Sequence, residues 1–508
     1  MAGPVARPSR ESPGASGDSR GLALAVLCAA TLMVILDGTI VTVALSSIQR
    51  DLGFSAASLT WVMNAYMIGF GGLLLLAGRL GDLIGRRRMF LSGLALFTAA
   101  SLACGLATSP QFLVAARFVQ GAGAAMVSAV SLGMIVGLYA DQASRVRALA
   151  AFSFVGAAGA SIGLVLGGVL TQAISWHWIF FVNLPIGAAA IVSGLRLLPA
   201  ERGTGMAEGA DALGAALVTA GLMSGIYALV GTAQHGWVSA RTLGFAAGAV
   251  VLLAAFVARQ ATAARPLLRL TVFRSPAVSG ANLAQALVIA AAFGFQVLIA
   301  LYFQRVLGYT PAEAGLGLLP TAVVIGAVSL GLAARLAMRF GERAVLLAGL
   351  ALVVAGLALM TQVPVSGSYG WHLLPALVVF GLGGGLTLPM LATLGMSAST
   401  PADAGVVSGL FNTTQQIGAA VGVALLSTLA ASHSSQLHHQ GVALAVALTS
   451  GYRLAFAVGA ALSTAAFIVA AVLLRPRPAR PAPAHPAPAE PTSAEPTSAE
   501  PAPNAIMN

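Results

Sequence analysis

Fourteen apolar stretches, each close to the length needed to cross a bilayer, recur between residues 22 and 474. A segment of about 20 apolar residues spans the hydrocarbon core as a helix. Lipid offers no hydrogen-bond partners, so a chain of such segments must satisfy its backbone internally, and helices do this without a sheet edge. The expected class is therefore an all-α, multi-pass membrane protein. Composition agrees: 58% of the 508 residues are hydrophobic and 8% are charged, against about 25% charged in an ordinary soluble domain.

The charges that remain set orientation. The net charge is +11 and there is no lysine, so all 26 basic residues are arginine. They are scattered singly through short connections rather than gathered on one face, which argues against nucleic acid as a partner. With both termini cytoplasmic, 21 of the 26 fall on inside loops and tails, Arg50, Arg241, Arg305 and Arg453 fall on outside loops, and Arg117 is left within a span. That bias is the positive-inside rule, and with it the chain is expected in a cytoplasmic membrane, surrounded by lipid; a monomer is the expected state. The apolar run after residue 20 is too long for the core of a cleaved signal, so the first span is expected to stay. Cys28 and Cys104 lie inside apolar runs without metal-ligand spacing and read as packing residues.

The segments divide as 22–198, 212–260 and 278–474. The outer two are read as six-helix bundles and the middle one as two inserted helices. Residues 1–20 and the Pro/Ala-rich 475–508, with its TSAEP repeat, read as disordered cytoplasmic ends. An internal repeat supports two related halves: ARLAMRFGER at 334–343 aligns without gaps on GRLGDLIGRR at 78–87, matching at Arg335, Leu336, Gly341 and Arg343. Repeats of this kind are the construction logic of secondary transporters.

Within the spans Asp37 and Arg117 are the clearly charged, deep residues. An acid at the centre of a spanning helix costs about 2.5–3.5 kcal/mol on insertion scales, which makes it a functional candidate by default. A carboxyl group kept from water, with an arginine beside it in one state and absent in another, has a proton affinity tied to conformation. Asp37 is thus the expected proton carrier and Arg117 its modulator. A permanent structural ion pair is the competing reading. Asn64, Tyr66, Gln285, Gln296, Asn412, Gln415 and Gln416 are the polar side chains expected to face a substrate cavity or to join helices by hydrogen bonds. His433, His438 and His439 fall on an outside loop and are read as ordinary polar residues, so no metal is expected. No GxxxxGK[ST] phosphate loop is present, and no loop is long enough for a catalytic or signalling domain. Neither an enzyme nor a nucleotide cofactor is therefore expected; a proton gradient supplies the energy.

Several motifs carry a family resemblance. GRLGDLIGRRR at 78–88 resembles the signature loop of the major facilitator superfamily, which implies a gating role for Gly78, Asp82, Gly85, Arg86 and Arg87. LDGTIVTVAL at 36–45, RFVQGAGAA at 117–125, WHWIFFVNLPIG at 176–187 and FNTTQQIG at 411–418 resemble segments of its drug:proton antiporters with fourteen spans. GASIGLVLGG at 159–168 has the glycine spacing of the antiporter motif, at Gly159, Gly163, Gly167 and Gly168, with Leu164 in place of the usual proline. The resemblance implies the major facilitator fold and proton-coupled export of amphipathic drugs or antibiotics. The alternatives are a proton-linked carrier of an endogenous metabolite and a membrane sensor that no longer transports.

Overall fold

The computed structural model describes residues 17–474 apart from 57, 140–141, 200–202, 204, 206–210, 265, 269 and 397–403; the tail at 475–508 and most of the 1–20 segment lie outside the described residues. Among the described residues every regular element is helical, and 13 helices are long and apolar enough to cross a membrane. A further helix of 32 residues, α5 (Gln142–Ala173), carries a shorter apolar run at its end.

The first half contains α1 (Gly17–Leu52), α2 (Trp61–Ile84), α3 (Arg86–Gly105), α4 (Pro110–Leu138) and α5, then the short α6 (Trp178–Phe181) running into α7 (Asn183–Leu197). A hairpin of α8 (Ala212–His235) and α9 (Ala240–Thr262) follows. The second half contains α10 (Pro276–Arg305), α11 (Pro311–Ala327), α12 (Ala333–Phe340), α13 (Glu342–Met360), α14 (Leu374–Met396), α15 (Ala404–His439) and α16 (Leu444–Leu473). A π-helical turn at Val328–Leu332 joins α11 to α12.

The halves repeat one set of contacts. In the first, α1 packs on α5 and α7, α4 on α2 and α3, and α3 on α7. In the second, α10 packs on α15 and α16, α14 on α11 and α13, and α13 on α16. The halves meet where α5 crosses α11, α2 crosses α15, and α1 meets α10. The α8–α9 hairpin reaches both, because α8 packs on α2 and on α15. Its partner α9 is peripheral, with 11% of its apolar window buried.

Local chemistry sets the helix starts. Ser109 caps α4 by accepting the Phe112 N–H, with Pro110 at the first helical position. Thr310 and Glu313 form a reciprocal capping box at α11, with Pro311 next. Asp211 caps α8 through the Gly214 N–H. Two glycines bring α2 and α4 to backbone contact: a Cβ on Gly69 would lie 2.4 Å from the Phe118 carbonyl, and one on Gly121 would lie 2.2 Å from that of Tyr66. That closeness lets a side chain on α4 reach the backbone of α2.

Three sequence expectations change. The 78–88 segment is not a loop: α2 continues to Ile84, Gly85 alone turns the chain at φ 99°, and α3 begins at Arg86. Gly341, its counterpart in the repeat, turns the chain from α12 into α13 at φ 84°. The arginines at 50, 241, 305 and 453 belong to helices, and the histidines at 433, 438 and 439 belong to the end of α15. Spanning helices overrun the apolar stretch, because the polar ends keep intrahelical hydrogen bonds beyond the hydrocarbon.

Candidate functional site

Asp37 of α1 and Arg117 of α4 meet in a salt bridge of 2.5 Å between Oδ2 and Nη1, and both side chains are fully buried. The pair is the centre of a larger network. Gln120, one turn beyond Arg117, donates from Nε2 to Asp37 Oδ1 at 2.8 Å, and its Oε1 accepts from Arg117 Nη1 at 2.8 Å. Asn183, the first residue of α7, donates to the same Asp37 Oδ1 at 3.1 Å. Ser101 of α3 accepts from both amides, at 3.2 Å and 3.0 Å, and donates to the Phe180 carbonyl at 2.9 Å. Arg117 Nε donates to the Val62 carbonyl at 3.0 Å, and its guanidinium lies 4.3 Å from the centre of the Tyr66 ring. Six helices of the first half therefore contribute to one network around this carboxylate.

Such a network is costly to dismantle and sensitive to charge. Breaking a buried ion pair from one side costs about 3–5 kcal/mol, because the remaining charge is left without a partner. Protonating Asp37 removes one charge and leaves Arg117 with only dipoles to face. Arg117 Nη2 and Asn183 Oδ1 are buried without a hydrogen-bond partner, so the network is not saturated in this state. The same atoms give it room for a second arrangement.

Asp37 stands near the middle of α1, but its partners stand near helix starts. Arg117 stands two turns into α4, and Val62 is the second residue of α2, so the site lies toward the end of the bundle opposite Gly85. The cover over that end includes the hydrogen bond from Trp176 Nε1 to Asp51 Oδ2 at 2.8 Å. The two halves are also joined there. Gln304 accepts from Ser46 and donates to the Val43 carbonyl at 3.1 Å, and Arg305 donates to Gln49. Among the described residues these three side-chain hydrogen bonds cross between α1 and α10, near the final turns of both helices.

Tyr66 packs against Arg117 and donates to the Val34 carbonyl at 3.2 Å. Asn64 is fully buried, with neither amide atom hydrogen-bonded. Its position shares a face of α2 with Gly71, which lies against Gln416 of α15. Gln285 is committed to the Phe411 carbonyl at 3.0 Å, an interhelical bond inside the second half. Gln296, Gln415 and Gln416 are half-buried and Asn412 is exposed, whereas Asp37 is fully buried. Cys104 is buried with its thiol 3.5 Å from Gln120 Oε1, and Cys28 is partly buried.

The motif glycines of α5 face two helices. A Cβ on Gly159 would meet Leu32, one on Gly163 would lie 2.1 Å from Thr39 Oγ1, and one on Gly167 would lie 2.5 Å from the Ile40 carbonyl, all on α1. Gly168 faces α11 instead, 2.5 Å from the Pro311 carbonyl by the same measure. Leu164 is buried, and its carbonyl lies against Gly315. Where the resemblance expects a proline, α5 runs on as helix and supplies a carbonyl at the seam between halves.

At the opposite end, Gly78 and Asp82 lie in the last turns of α2, and Arg86 and Arg87 open α3. Arg86 bridges to Asp82 at 3.5 Å, half-exposed, and Arg87 donates to the Leu195 carbonyl at the end of α7. Arg343, the repeat counterpart of Arg87, donates to the Ala471 carbonyl at the end of α16 at 2.6 Å. Asp82 has no acidic counterpart, since Met338 stands at that place in the repeat.

Sequence reasoning named Asp37 and Arg117 but not Gln120, Asn183 or Ser101. Gln120 and Asn183 lie inside motifs already singled out, RFVQ and FFVN, and a polar residue three places from a buried arginine on a helix was a usable signal. Ser101 carried none, being one of many small residues in α3.

Two repeated helical bundles joined by an inserted hairpin, with an ion network buried in one bundle, define a multi-pass membrane protein of transporter architecture. The family model for the Major Facilitator Superfamily matches residues 27–423, and the chain belongs to that family. Among its relatives, the cephamycin export protein CmcT of Amycolatopsis lactamdurans is 40% identical over 81% of this chain and 85% of its own length. The puromycin resistance protein pur8 of Streptomyces alboniger is 37% identical over 89% and 91%. The crystal structure of a bacterial homologue of the human lysosomal transporter Spinster shares the fold, with a TM-score of 0.65 at 17% identity, covering 91% of this chain and 98% of that one.

Proposed function

We propose that the protein exports amphipathic drugs or antibiotics across the cytoplasmic membrane in exchange for protons, with both termini inside. The relatives' names, cephamycin export and puromycin resistance, support the direction and substrate class. The arginine-rich turns at Gly85 and Gly341 support the orientation, because positive charge is retained on the cytoplasmic side. The seam at the ends of α1 and α10 is then the outer gate, closed in this structure.

The observation that carries proton coupling is the fully buried Asp37–Arg117 pair. With the outer gate shut, the carboxylate is held by Arg117, Gln120 and Asn183. Opening the outer ends of the helices exposes the network to water, Asp37 takes a proton, and the ion pair is lost. Returning to the inward state re-forms the pair and expels the proton toward the cytoplasm. A proton crossing 100 mV releases about 2.3 kcal/mol, enough for roughly 40-fold accumulation of a neutral compound exchanged one for one.

The test is Asp37→Asn, which keeps the shape but turns one of the two accepting oxygens into a donor and holds no exchangeable charge. In inverted membrane vesicles at equal expression, a drug such as puromycin should be accumulated in response to an imposed pH gradient by the parent chain and not by the variant. Undiminished gradient-driven accumulation by Asp37→Asn would remove Asp37 from the mechanism.

A further inference from the structure

A cavity at the outer seam takes no part in the proton chemistry above. Its volume of about 420 Å³ is within the range of small-molecule sites, roughly 300–1,000 Å³. Both halves build it: Leu45 and Leu59 line it from the first half, and Val297, Leu301 and Leu448 from the second. Most of its polar side belongs to the second half. Arg305 lines it and donates to Gln49, and among the described residues no carboxylate lies within salt-bridge distance of that guanidinium. Ser427, Ser434 and Tyr452 also line it, each with a hydroxyl buried without a hydrogen-bond partner, and Thr60, Ser435 and His438 complete its polar lining. No acidic side chain contributes to the lining.

A leucine-walled space with an arginine, an imidazole, three unsatisfied hydroxyls and no acid is complementary to one kind of molecule. We propose that this cavity binds an amphipathic carboxylate, with its alkyl part against the leucines and its carboxylate on Arg305, and that occupancy holds the outer ends of the two halves together. The second part follows from the first. Walls supplied by both halves exist together only while the seam is closed, and a ligand that binds one state shifts the population toward it by its difference in affinity. The site is therefore regulatory, and the inference does not depend on which compound is exported.

Decanoate is a suitable probe, measured against the full chain in nanodiscs, with empty nanodiscs as the background and decanol as the uncharged control. Saturable decanoate binding is expected, with decanol about tenfold weaker, since a hydrogen-bonded charge pair carries about that much discrimination. Arg305→Gln should weaken decanoate by a similar factor, and Leu448→Trp should do so by filling the space while leaving the gate residues intact. Spin labels at Ser55 and Gln440, on opposite sides of the seam, should show a larger short-distance population when decanoate is added. Binding no greater than that of empty nanodiscs, equal affinity for decanol, or affinity unchanged in both variants would overturn the site. A distance distribution that stays fixed or lengthens while decanoate binds would overturn the regulatory role.

Discussion

Arg117 uses its planar fork in two directions at once, Nη1 toward Asp37 and Gln120, and Nε toward the Val62 carbonyl. A lysine has a single terminal nitrogen and cannot serve both, although its charge is the same. Arg117→Lys is therefore expected to fold and to lose at least about tenfold in gradient-driven export, with vesicle transport at equal expression as the check; near-parental rates would mean that charge alone suffices. A second acid lends itself to a different measurement. Burial by itself would raise the Asp211 carboxyl, but hydrogen bonds from the Gly214 N–H, Arg259 and Gln260 outweigh it and hold the group below the ordinary aspartate range. A depressed folded value means the stabilisation is present above the unfolded pKa near 3.9 and is lost as pH falls through the folded one. Asp211→Asn should lower the melting temperature at neutral pH, and the gap to the parent chain should close on acidification below about pH 4. A gap that persists at low pH would place the effect in packing rather than in charge.

Helices carry the next level of argument. Gly85 and Gly341 hold equivalent turns at positive φ, where a β-carbon costs about 1–2 kcal/mol. Gly85→Ala and Gly341→Ala should each reduce thermal stability by an amount of that order. At Gly163 the obstacle is a neighbour rather than the backbone angle, since a side chain there would strike Thr39 and the Leu36 carbonyl of α1. Gly163→Val should therefore push α5 away from α1 and abolish export, while Ile162→Val, at an exposed position one residue earlier, should be tolerated. Transport measured for both variants at matched expression is the check. At this level the sequence was most informative, because lipid forces backbone hydrogen bonds into helices and apolar length then counts the spans. Less legible were the helix ends: Gly78, Asp82 and Arg305 read as loop residues because polar character marks the edge of the hydrocarbon, not the end of hydrogen bonding. The central network was half legible for a related reason. A charge in an apolar run is conspicuous, but Asn183 and Ser101 become meaningful only when α3 and α7 are known to flank Asp37.

For the whole molecule, movement between access states requires the ends of α1 and α10 to part. Introducing cysteines at Ser46 and Gln304, whose side chains touch across the seam, and joining them with a short bifunctional thiol reagent should halt export, and a cleavable reagent should allow recovery on reduction. Export that continues through the cross-link would locate the moving boundary elsewhere. The crossings of α5 with α11 and of α2 with α15 are left as the fulcrum for that motion, and the α8–α9 hairpin, attached to both α2 and α15, travels with the fulcrum rather than with either arm.

The latch at that seam is strong enough to matter and weak enough to slip. Ser46 and Val43 give it neutral hydrogen bonds that net about 0.5–1.5 kcal/mol each, and the Arg305–Gln49 bond, with one charged partner, nets about 1.5–3 kcal/mol. Together they set a gap that ordinary thermal agitation crosses, leaving an open minority on the order of one molecule in a hundred to one in ten thousand. The unloaded carrier is thus expected to breathe spontaneously, and cargo and protons need only bias a swing that is already under way.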